Sequence, residues 1–132
     1  MFPLYTVAIV IEEQKMGINL KEYKKIDPLW TCVWQAIPWN RINEFDLAIL
    51  NYAYEQSIIK LTDVILQLKC KNTDLLIAVV NDNIPAQEQI ILYKAGVDTF
   101  ITEPKNKEEL YKCLEELENI VWYRNWKKEH KS

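Results

Sequence analysis

Apolar and polar positions alternate along this chain in blocks. Tyr5 to Ile11 (YTVAIVI) is β-branched and almost wholly apolar, the pattern of a strand buried on both faces. Lys15 to Ile26 carries Met16, Leu20, Tyr23 and Ile26 at helical spacing, and Asp27-Pro28 ends it. Leu29 to Ile37 (LWTCVWQAI) predicts a second strand, Pro38 to Glu44 a short helical or irregular link, and Phe45 to Asn51 (FDLAILN) a third strand. Glu55 to Cys70 shows a helical stripe through Ile58, Leu61, Ile65 and Leu68, followed by a fourth strand, Leu75 to Val80. Pro85 to Ala95 predicts a helix closed by Gly96, and Val97 to Thr102 a fifth strand. A long helical pattern then runs from Asn106 to Lys128, with Asn106 as cap and Glu108 and Glu109 in the first turn. Strands that alternate with helices predict a parallel sheet covered on both faces, an α/β three-layer sandwich.

With 132 residues the chain is one domain, long enough to bury roughly 68% of its extended surface. It has no apolar run of about 18 residues, so no membrane span is expected, and no signal peptide is read at the N-terminus. Sixteen basic residues against nineteen acidic ones give a net charge of −3, which disfavours non-specific nucleic-acid binding. Gly17 and Gly96 are the only glycines, so neither a P-loop nor a glycine-rich dinucleotide fingerprint is present. Cys32, Cys70 and Cys113 are odd in number and widely spaced, which suits reduced thiols in the cytoplasm. A single histidine, His130, leaves a His-based metal site or catalytic triad little to work with, and no enzyme activity is expected.

Ligands of open α/β sheets sit at the carboxyl ends of the strands. Glu12 and Glu13 follow the first strand, Asn51 ends the third, Asn81 and Asp82 follow the fourth, and Glu103 and Pro104 the fifth. This order of residues resembles the receiver domains of bacterial response regulators. The likeness covers about residues 5 to 120 and is densest in ILYKAGVDTFITEPKNKEELYKCLEEL, similar to the family's LxxGAxDYLxKPfxxeEL region; FDLAILN resembles its PDLVLLD. The resemblance implies a flavodoxin-like fold with sheet order 2-1-3-4-5, a receiver-like domain over residues 1–120, and residues 121–132 as an extension of the last helix with a charged tail.

The departures fall on the positions that carry the family's chemistry. There an acidic pair follows strand one, the phospho-accepting Asp ends strand three, a Ser/Thr ends strand four and a Lys-Pro follows strand five. Here Glu12 and Glu13 stand for the acidic pair, Asn51 for the acceptor, Asn81 for the Ser/Thr and Glu103 for the lysine. An amide is no nucleophile towards phosphoryl donors. At about 5 Å and an effective dielectric near 20, each like charge facing a phosphoryl group costs on the order of 3 kcal/mol. The expectation is a degenerate pseudo-receiver that lacks the phospho-acceptor and works without phosphorylation. The stretch between strands two and three is also too short for a full second helix.

What such a domain does instead has two readings. Five tryptophans are unusual in this length, with Trp30 and Trp34 expected on one face of strand two and Trp122 and Trp126 on one face of the last helix. They either fill core or serve as contact anchors. In receiver domains the face formed by the fourth helix, fifth strand and fifth helix is the usual dimer and partner surface. The resemblance therefore implies a protein partner or a second copy on Tyr93, Phe100, Tyr111, Trp122, Tyr123 and Trp126. Phosphorylation-independent receivers of this kind occur in atypical regulators, clock-input proteins and Tad-type pilus localisation proteins. The alternative is a sensor of a divalent cation or small ligand, with Glu12, Glu13 and Glu103 as hard oxygen donors; the rim is otherwise a solvated one that needs no cofactor.

Overall fold

The computed structural model describes residues 6–11, 26–52, 57–81, 83–102 and 104–130, with side chains of residues 6 and 26–30 excepted. Five strands, β1 (Thr6–Ile11), β2 (Ile26–Cys32), β3 (Leu47–Asn51), β4 (Leu76–Val80) and β5 (Thr99–Ile101), form one parallel sheet in the order β2-β1-β3-β4-β5. Three α-helices are described: α1 (Ile58–Lys71), α2 (Ala86–Ala95) and α3 (Lys107–Glu129). The order and the parallel pairing are those of the flavodoxin-like receiver fold.

Strand parity explains why the apolar runs are unbroken. Ile9, Ile11, Ala48, Leu50, Ile77 and Val79 point to one face, where Leu61, Ile65 and Leu68 of α1 and Leu92 and Ala95 of α2 cover them. Ala8, Val10, Leu47, Ile49, Leu76 and Ala78 point to the other, under Leu110, Leu114, Leu117 and Val121 of α3. Ser57 caps α1, its hydroxyl accepting the Lys60 N–H at 3.1 Å, and Asn106 caps α3, accepting the Glu109 N–H at 2.9 Å.

Three expectations need correction. Strand two begins at Ile26, inside the stretch expected to be helical, and stops at Cys32 rather than Ile37. Its Asp27-Pro28 is accommodated because β2 is an edge strand paired only with β1, and because the register slips there: Thr6 faces Ile26 while Ala8 faces Leu29, one residue more on β2. Trp34 therefore does not share a strand face with Trp30. It opens a short 3-10 turn (Trp34–Ala36) and is buried, and a second one (Trp39–Glu44) leads into β3. The rest of the helix expected over Lys15–Ile26 lies outside the described residues.

These two turns replace the second helix of the sandwich, as the short spacing predicts. Trp34, Ile37 and Ile42 fill the space that a helix would have filled. The Asn72 carboxamide fixes the turn that follows, donating to the carbonyls of Phe45 at 2.8 Å and Ile42 at 3.2 Å.

Candidate functional site

The carboxyl rim of the sheet is built by strand ends held in register. Asn51 closes β3; it is 8% exposed, the one polar side chain buried in the core among the described residues. The Tyr52 N–H donates to Val80 O, and the Asn81 N–H to Ile101 O, both at 3.1 Å, so β3, β4 and β5 end level. The Asn81 carboxamide is engaged at both ends. Its Nδ2 donates to the Tyr52 carbonyl at 2.6 Å, and its Oδ1 accepts the Asn83 N–H at 2.6 Å, a local turn bond. Burial pushes the Tyr52 phenol above its ordinary pKa, and the Glu88 carboxylate in the first turn of α2 adds to it.

Asn51 and Asn81 are thus brought to the same rim, as their positions predict. Of the other predicted rim residues, Glu12, Glu13, Asp82 and Glu103 lie outside the described residues, and Pro104 is buried. Among the described residues no cluster of three His, Cys, Asp or Glu side chains is spaced to hold a metal ion. No helix among them is long and apolar enough to cross a membrane.

The six predicted surface aromatics do not make one patch. Tyr93 on α2 is 53% exposed and meets Phe100 of β5 edge to face, ring centres 4.9 Å apart. Phe100 is half-buried, its inner side packed on the α1–α2 core. On α3 the stripe buried against the sheet sets the orientation at about 100° per residue. Ile120, exposed, lies on the same flank as Arg124, whose guanidinium reaches Asp98 ahead of β5 at 3.7 Å. Tyr111 and Trp122 lie on the opposite flank, away from β5, and Tyr111 packs on the sheet under Lys107, whose Nζ is 5.5 Å from the ring centre. Tyr123 and Trp126 point outward, stacked on one another at 6.3 Å, with His130 on the far side of Trp126 at 4.4 Å.

The face between α2 and α3 therefore carries Tyr93, Phe100 and Ile120, with Ile90 one turn before Tyr93 and also exposed. Sequence reasoning missed Ile90 and Ile120 because it weighted aromatics. The signal was available: Ile90 stands three residues before Tyr93, so the two share a helix face.

At the opposite end of the sheet Asp98 is a hub. Its Oδ2 accepts the Ile77 N–H at 2.8 Å and the Lys69 ammonium at 3.1 Å. Lys69 also donates to Leu75 O at 2.6 Å, which ties α1 to β4 and to the start of β5.

Solved structures with this architecture include receiver domains of response regulators. A CheY-like response regulator receiver domain protein from Methanospirillum hungatei JF-1 superposes with a TM-score of 0.64 at 14% identity, over 90% of this chain and 97% of that one. An orphan response regulator of H. pylori gives 0.61 at 14% identity, over 90% and 99%. A CheY-like protein, tadZ, from Pseudomonas aeruginosa PAO1 gives 0.60 at 10% identity, over 85% and 92%. At these identities the likeness is one of fold. No protein-family model matches the chain, and no curated protein matches it in sequence.

Proposed function

We propose that this chain is a receiver-fold module of cytoplasmic signalling that acts through protein contacts and takes no phosphoryl group. The observation that carries the proposal is Asn51 at the end of β3. Phosphoryl transfer to a receiver needs an oxygen nucleophile at that strand end, and a carboxamide is not one. Asn81 supports the same reading, because its side chain is committed to the backbone at Tyr52 and Asn83. A Ser or Thr there would have a hydroxyl to offer to an incoming phosphoryl oxygen. The module is not an enzyme, needs no cofactor, and binds neither nucleic acid nor membrane through this domain.

The contact surface is the α2–β5–α3 face, where Ile90, Tyr93, Phe100 and Ile120 expose apolar area. The occupant is another protein or a second copy of the chain. Tyr123 and Trp126 extend the anchor set along the outer side of α3.

Thermal melting with Mg²⁺ and beryllofluoride, a phosphoryl mimic, tests the proposal. A ligand at about 100 times its dissociation constant adds ~2.7 kcal/mol, on the order of 10 °C for a domain of this size. We expect no shift with the mimic. A shift that requires beryllofluoride overturns the proposal. A shift with Mg²⁺, Mn²⁺ or Ca²⁺ alone instead favours the acidic rim as a cation sensor.

A further inference from the structure

We propose that the last two turns of α3, from Trp122 to Glu129, form an electrostatic latch that docks on the amino-terminal edge of the sheet and releases independently of the rest of the helix.

The stripe of α3 that faces the sheet changes character along its length. Leu110, Leu114, Leu117 and Val121 are buried in the core. The next residues in the same stripe, three, four and seven positions after Val121, are Arg124, Asn125 and Lys128. Apolar contact stops at Val121 and ion pairs take over. Arg124 meets Asp98, and the Lys128 ammonium donates to Asp74 in the turn before β4.

Beneath these pairs the helix spans a cavity of about 180 Å³, whose walls include Leu76 and Val121 as well as Asp46, Asp74, Arg124 and Lys128. Among the described residues, the charged groups around these pairs include Asp46, Asp74 and Asp98 against Lys69, Arg124 and Lys128. Asp46 and Lys69 already have partners within the domain, at the Val7 N–H and at Leu75 O. The side chains of the Lys128–Asp74 pair are 58% and 60% exposed. Exposed pairs are weak and screened by salt, whereas apolar burial is not. One helix thus has two parts that respond differently to ionic strength. Release would move the outward-facing Tyr123–Trp126 stack, which is carried on the same two turns, away from the domain. It would also remove Arg124 from Asp98, the residue that joins α1, β4 and β5.

Amide hydrogen exchange on the full chain tests the latch. In low salt, amides of residues 124–129 should be protected. High salt, Asp74→Asn and Lys128→Gln should each speed their exchange by about two- to five-fold, while residues 110–121 stay unchanged. The double variant should be no faster than either single one, because both remove the same pair. Residues 124–129 that are unprotected in low salt, exchange that ignores salt and both substitutions, effects that add in the double variant, or acceleration that spreads through residues 110–121 would each overturn the proposal.

Discussion

Gly96 shows how much a single residue settles. It sits at φ 130°, where its N–H closes α2 on the carbonyls of Leu92 and Tyr93. A Cβ built there would lie 2.7 Å from Cγ of Lys69. That side chain cannot swing aside cheaply, because its ammonium is bonded to Leu75 O and Asp98 at once. Gly96→Ala should therefore destabilise the domain by about 1–3 kcal/mol in urea unfolding, through backbone strain and the clash together. Asn51 is the other residue of consequence. Both its identity and its place at the end of the third strand are legible in the sequence, and the strand register agrees with that place.

Elements were legible where their pattern was regular. The buried strands β1, β3 and β4 and the helices α1 and α3 follow from unbroken apolar runs, helical stripes and, for α3, the cap Asn106. Sequence reasoning missed the Ser57 cap, which starts α1 inside the expected Glu55–Cys70 helix. The edge strand β2 was not legible in the same way. Helical spacing ran into it, Asp27-Pro28 read as a helix end, and a register slip against β1 on an edge strand reconciles the proline with pairing. The ion pairs at the end of α3 were not legible for a related reason, since only the fold brings Asp98 and Asp74 opposite Arg124 and Lys128. A pH dependence follows from the second pair. The hydrogen bond from Lys128 holds the Asp74 carboxyl below its ordinary pKa. Its small stabilising contribution is present above about pH 4 and is lost as pH falls through the lowered folded value. Asp74→Asn should flatten the acid limb of the stability curve, seen as urea midpoints that converge with those of the unaltered chain below pH 4.

At the scale of the molecule, the proposed function assigns different roles to two faces of the sandwich. The carboxyl rim, with Asn51 and Asn81, is where the proposal places the absence of phosphoryl chemistry. The α2–β5–α3 face exposes apolar side chains without a covering element among the described residues. Light scattering on a sizing column, over a hundredfold range of concentration, should show a concentration-dependent dimer if a second copy is the occupant. Ile90→Asp with Tyr93→Ala should return that dimer to monomer, whereas Trp122→Ala alone should leave it intact, because Trp122 lies on the flank turned away from β5. The reverse ranking would move the contact to the outer side of α3.

The central claim is that the receiver fold here operates without phosphoryl transfer, and intact-protein mass measurement after incubation with acetyl phosphate and Mg²⁺ tests it most directly. The account predicts an unchanged mass in the unaltered chain. Addition of one phosphoryl group to the unaltered chain, removed by substitution of a residue at the carboxyl rim, would contradict it.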